Sequence, residues 1–263
     1  MAHIQDQSQL NEFYSFCNTK NTTDALDIDI VDPSKFELWK YYNIQQTVYQ
    51  DETHPIKLYG EEINYSLFKY SNDNPVKREL IVIPGFSKKS ICWTIGRINH
   101  FLDKLKSDFS DIVIFNLEDL KEKYTKITDN GVPKYDILTK IGYQLNKIVK
   151  HMGFKNISLL GRSAGGALAI VIATLNTDVK GLNLACPGFE DRMIVDLIAT
   201  ERNIPIRIGW AKEDTKIPIT KGYKLKEMLE FSEKNVEMYE ISTGSSEDKV
   251  NHRIHQISID NLV

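Results

Sequence analysis

Two kinds of hydrophobic spacing alternate along most of this chain. Short, largely apolar runs occur at Leu80 to Ile83, Ile112 to Asn116, Ile157 to Leu160, Gly181 to Ala185, Ile206 to Trp210 and Val236 to Ile241. Each is strand-length, and such runs suit strands buried on both faces. Between them lie longer segments with helical spacing, the cleanest being Ile137, Ile141, Leu145, Ile148 and Met152. Strands separated by helices predict an α/β fold with a mostly parallel sheet covered on both sides. Upstream, Ile63-Asn-Tyr-Ser-Leu-Phe-Lys-Tyr70 alternates, and Ser71-Asn-Asp-Asn-Pro75 supplies turn residues, which predicts an antiparallel pair at a sheet edge.

Residues 1–50 differ from the rest of the chain. They hold no glycine, are polar and acidic, and gather Phe13, Tyr14, Phe16, Phe36, Trp39, Tyr41 and Tyr42. This predicts an N-terminal extension packed on a main domain of residues 51–263. Asp32-Pro33-Ser34 has the form of a helix start, and Phe36, Trp39 and Tyr42 fall at spacings that share one helical face.

A chain of 263 residues can bury a large core without disulfides or a structural metal. Its 33 Lys plus Arg against 36 Asp plus Glu leave a net charge of -3, too balanced to draw in nucleic acid or an anionic membrane. Cys17, Cys92 and Cys186 are widely spread, with no Cys-x-x-Cys and no zinc-finger spacing, and read as reduced thiols. The first ten residues carry neither a basic start nor an apolar leader core, and no apolar run approaches the ~20 residues of a membrane span. A cytoplasmic location without integral membrane association is expected.

The chemistry concentrates at Ile157-Ser-Leu-Leu-Gly161-Arg-Ser163-Ala-Gly165-Gly-Ala, a strand running straight into a helix through Gly-x-Ser-x-Gly. A nucleophilic serine on so sharp a turn needs small residues two positions before and after it, where a side chain would collide with the backbone. On this motif the sequence resembles the α/β-hydrolase family over roughly residues 55–263, of the small, lid-poor serine esterase or acyl-thioesterase type. The resemblance implies a three-layer α/β/α sandwich on a mostly parallel sheet of about eight strands. Leu80-Ile-Val-Ile83 followed by Pro84-Gly85-Phe86 stands where the family commonly has His-Gly and an oxyanion-hole residue; here Pro84 replaces that histidine. By resemblance, the Phe86 and Ala164 backbone N–H groups face the substrate oxygen.

Asp214-Thr-Lys-Ile-Pro218, after the Ile206 to Trp210 strand, matches the family's acid loop, with Glu190 and Asp191 as fallback acids. The histidine is expected after the last strand, where His252 and His255 both lie; Asn251-His252-Arg253 resembles the loop of small esterases, so His252 is preferred. The order Ser163, Asp214, His252 is the one expected of this fold. It implies a serine hydrolase of carboxylic esters or thioesters acting through an acyl-enzyme, on small-molecule or acyl-protein substrates, with no metal or organic cofactor. An acyltransferase with the same triad, and a silent hydrolase-fold binding protein, are the alternatives. Only 17 residues, 187–203, separate Cys186 from Ile204, so no large lid is expected there. Phe189, Met193, Ile194, Leu197 and Ile198 in that segment either pack on the sheet or, with Phe86, Trp93 and Trp210, wall an acyl pocket.

Overall fold

The computed structural model describes residues 37–41, 56–63, 65–73, 75 and 78–242. Among these, ten strands and seven helices are found: β1 (Glu37–Tyr41), β2 (Ile56–Leu58), β3 (Glu61–Ile63), β4 (Tyr65–Ser71), β5 (Glu79–Ile83), α1 (Lys88–His100), α2 (Leu102–Asp108), β6 (Asp111–Asn116), α3 (Leu120–Asp129), α4 (Lys134–His151), β7 (Ile157–Arg162), α5 (Ala164–Leu175), β8 (Val179–Ala185), α6 (Asp191–Ile198), β9 (Ile206–Ala211), α7 (Ile219–Phe231) and β10 (Val236–Ile241). Each of the six apolar runs became a strand.

Eight strands form one sheet in the order β1-β4-β6-β5-β7-β8-β9-β10, and β2 pairs with β3 in a separate hairpin. From β6 to β10 all neighbours are parallel, while β4 and β1 are antiparallel. Alternation along the strands sends side chains into two cores. On one face Leu80, Val82, Ile112, Ile114 and Leu160 meet Ile91, Ile95 and Ile98 of α1 and Leu102 and Leu105 of α2. On the other, Ile81, Ile83, Leu159, Leu182, Leu184, Ile208 and Trp210 meet α4, α5, α6 and α7. The architecture is therefore a three-layer α/β/α sandwich.

The α4 helix shows why these segments are helical and how they stop. Ile137, Ile141, Leu145 and Ile148 are all fully buried, each contributing about 1.5–3 kcal/mol by burial. Asp136 lies in the first turn and Lys150 and His151 in the last, matching the helix dipole, and Gly153 at φ +73° ends the helix.

Two expectations are corrected. Residues 37–41, expected on a helical face, form β1, in register with β4 from Glu37 opposite Lys69 to Tyr41 opposite Tyr65. The edge of β4 offers backbone donors and acceptors that an isolated helical turn cannot answer, and aromatic residues are as compatible with a strand as with a helix; residues 32–36 and 42 lie outside the described residues. The turn at Ser71–Pro75 does not fold β4 back onto β5 either. β6 lies between them, antiparallel to β4 and parallel to β5.

The order β6-β5-β7 also places the site. The chain leaves β5 toward α1 on one face and leaves β7 toward α5 on the other, opening a crevice at the carboxyl ends of these two strands.

Candidate active site

Ser163 stands in that crevice, between β7 and α5, at φ 52° and ψ -126°. A non-glycine residue there costs of order 1–3 kcal/mol, and surrounding contacts must hold it. The Ser163 N–H donates to the Ala185 carbonyl at 3.1 Å, and its own carbonyl accepts from Gly166 N–H at 2.9 Å and Gly188 N–H at 2.8 Å. The two small positions of the motif are sterically required. A Cβ on Gly161 would lie 2.5 Å from Ala169 Cβ, and one on Gly165 only 2.0 Å from the Ile83 carbonyl oxygen. The start of α5 thus rests directly on the end of β5.

The loop after β5 faces the serine: a Cβ at Gly85 would be 3.8 Å from Ser163 Oγ. Ala164 opens α5, where the first backbone N–H groups lack partners within the helix and the dipole is positive. Phe86 is half-buried, with its ring edge-on to Tyr124 at 5.5 Å between centroids. Burial, and the Glu190 carboxylate beside it, hold the Tyr124 phenol above its ordinary range.

Asp214 lies in the turn after β9 and is 3% exposed. Its Oδ1 accepts two backbone N–H bonds, from Lys216 at 2.9 Å and Ile217 at 3.0 Å, which fix the carboxylate within its own loop. Pro218 then caps α7, and Trp210 Nε1 donates back to the Ile217 carbonyl at 2.8 Å. Ser163 and Asp214 follow strands separated only by β8, the two strands lying about 10 Å apart at the usual spacing. Cys186, at the end of β8, is 1% exposed and has φ +42°. Burial pushes its thiol up to about 12, and the adjacent Asp214 carboxylate, to which it hydrogen-bonds, adds to the rise.

His252 and His255 lie outside the described residues, which end at Ser242. That last residue donates from its hydroxyl to Glu213, so the chain leaves β10 beside the acid loop. Of the fallback acids, Glu190 is exposed at the start of α6, and Asp191, also exposed, pairs with Lys224. Trp210 and Met193 are enclosed in the core, and Phe189 is buried with Lys221 Nζ 5.8 Å from its ring centre. Trp93 lies on α1, and its side chain is outside the described residues. The segment 187–203 carries one short helix, α6, whose Met193, Ile194 and Leu197 pack into the core.

Sequence reasoning missed Tyr124 and Ile217, the latter 3.6 Å from a Cβ on Gly188 beside Ser163. Tyr124 was visible only as one member of a helical stripe with Leu120 and Ile127.

This sheet order with its strained serine turn is the α/β-hydrolase fold. No protein-family model matches the chain, and no curated protein matches it by sequence. Solved structures do match. An α/β hydrolase, MGS-MChE2, from a Mar Chica lagoon sediment metagenome is 14% identical with a TM-score of 0.50, over 75% of this chain and 93% of that one. A predicted CIB-like hydrolase from Thermoplasma acidophilum is 15% identical with a TM-score of 0.53, over 80% of this chain and 96% of its own. A thermostable esterase is 12% identical with a TM-score of 0.52, over 79% of this chain and 59% of its own. Among the described residues, no helix is long and apolar enough to cross a membrane.

Proposed function

We infer that the protein is a serine hydrolase cleaving carboxylic esters or thioesters through an acyl-enzyme on Ser163. The observation that carries this reading is Ser163 itself, held at φ 52° at the start of α5 and facing the loop after β5. Strain of this kind persists where the surroundings enforce it, and here it aims a hydroxyl into the crevice at the switch point of the sheet. In the reaction, His252 accepts the Ser163 proton as Oγ bonds to the acyl carbon. Asp214 holds the imidazole tautomer and stabilises the imidazolium. The tetrahedral oxyanion accepts hydrogen bonds from Phe86 N–H and Ala164 N–H. His252 then protonates the departing alkoxide or thiolate, and a water that it activates releases the acid and restores Ser163.

The fold and the esterase among the similar structures support the class; the buried, doubly amide-bound Asp214 supports the acid assignment. Ser163→Ala should abolish fluorophosphonate labelling and lower ester kcat by several orders of magnitude while circular dichroism is unchanged. His252→Ala should be equally damaging and His255→Ala nearly silent. A Ser163→Ala protein that keeps its activity refutes the reading; a swap between the histidines moves the base by one helical turn.

A further inference from the structure

The residue between Gly161 and Ser163 is an arginine, at the end of a strand otherwise built of Ile, Ser, Leu and Gly and buried throughout. Arg162 is 7% exposed. A guanidinium keeps its charge under all ordinary conditions, so burying one is costly unless its donors are answered. Arg162 Nη1 donates to Ser90 Oγ at 2.8 Å, and the bond is buried. The same oxygen accepts the Gly85 N–H at 3.1 Å. A hydroxyl has two acceptor sites, and here the nucleophile strand and the loop after β5 share them.

The rest of the loop is set from this point. The Ser87 hydroxyl caps α1 by accepting from Ser90 N–H at 3.1 Å, and Ser87 N–H donates to the Gly85 carbonyl at 2.9 Å. The peptide between Gly85 and Phe86 is trans, so the Phe86 N–H points opposite to the Gly85 carbonyl. Holding that carbonyl on Ser87 and the Gly85 N–H on Ser90 therefore fixes the direction of the Phe86 N–H. We propose that Arg162 is a positioning residue that, through Ser90, locks the oxyanion loop in register with the nucleophile beside it. The proposal rests on the serine-hydrolase reading and deepens it. A side chain on the same turn as Ser163 carries the geometric link, so nucleophile and oxyanion donor cannot shift independently. The guanidinium also lies within electrostatic reach of Cys186, next to Asp214.

The test compares full-length wild type with Arg162→Gln, Ser90→Ala and the double variant. It measures kcat and KM on a short-chain p-nitrophenyl ester, the rate of Ser163 phosphonylation, and folded fraction and Tm by circular dichroism. Each single variant should lower kcat per folded molecule by about 10²-fold, the scale of a misplaced or lost oxyanion donor, with KM within about threefold. Phosphonylation should slow in parallel, because that step also develops charge on a phosphoryl oxygen. The double variant should be no worse than the worse single one, since both cut the same link. If Arg162→Gln does not fold, Ser90→Ala carries the test, because it removes the shared acceptor without adding bulk. Variants that lose Tm but keep kcat per folded molecule, or whose effects multiply in the double variant, overturn the inference and leave the hydrolase reading intact. A wild-type protein without Ser163-dependent turnover or labelling overturns the hydrolase reading and this inference with it.

Discussion

On the proposed mechanism Asp214 holds an imidazole, which requires a fixed position. The Lys216 and Ile217 amides supply it by binding the same oxygen, Oδ1. Asp214→Asn preserves the shape and puts a donor where an acceptor is required. It should lower kcat by about 10⁴ with little change in Tm, measured on the same ester as the Ser163 variant. Cys186 beside it should behave as an inert thiol. Iodoacetamide at pH 8 should leave Cys186 unmodified in the native protein and alkylate it in urea, peptide mapping separating it from Cys17 and Cys92. Its folded pKa lies above its ordinary value of 9.0, so its contribution to stability is whole below pH 9 and falls away as pH rises toward 12. Cys186→Ala should flatten that alkaline limb of a Tm-against-pH curve.

At the scale of elements, the position of α5 is set by contacts closer than side chains normally permit. Its first turn rests on the end of β5 at Gly165, and its middle meets α4 where a Cβ on Gly142 would lie 2.6 Å from Val171 Cγ1. An alanine at 142 gains about 1 kcal/mol of helix propensity but overpacks the α4–α5 contact, an effect of about 1–3 kcal/mol in well-packed cores. The stiffness of a β-branched partner favours the upper end, so Gly142→Ala should lower Tm by roughly 2–6 °C. Adding Val171→Ala removes the nearest clashing atom, Cγ1, but keeps the residue 171 Cβ at 2.7 Å from the new methyl, so the double variant should regain only part of the loss. A single variant as stable as wild type would show that the two helices can separate without cost.

For the whole molecule, the edge strand β1 comes from a part of the chain whose sequence looks appended. Deleting residues 1–30 leaves β1 in place; deleting 1–50 removes it and exposes the backbone edge of β4. An exposed edge is a template for pairing with another chain. The 1–50 deletion should therefore lower Tm and shift the protein to larger species on size exclusion, both to a greater degree than the 1–30 deletion. Equal behaviour of the two proteins would mean that β1 contributes nothing to the sheet's integrity.

Local pattern was enough for the six parallel strands, the helices between them and the serine turn. Apolar runs can be satisfied only inside a covered sheet, and Gly161 is demanded by collisions with Gly165, Gly166 and Ala169 a few residues along the chain. Gly165, by contrast, is demanded by Ile83 and Pro84 at the end of β5, a contact that the fold supplies. Asp214 is also held locally, by amides two and three residues away, but what marks it in the sequence is its resemblance to the family's pattern rather than local sterics. What local pattern could not decide was which distant segments would become neighbours. Trp39 reads equally as a helical or a strand residue, and only the free edge of β4 makes residues 37–41 a strand. Trp210 is an aromatic near the site in sequence, yet alternation along β9 turns it into the core beneath α7. Arg162 reads as an arbitrary letter inside Gly-x-Ser. Its partner, Ser90, is 72 residues away and reaches it only because β5 and β7 lie side by side. Short-range sterics are written in the sequence, whereas the satisfaction of a buried charge or an open sheet edge depends on what the tertiary fold brings to it.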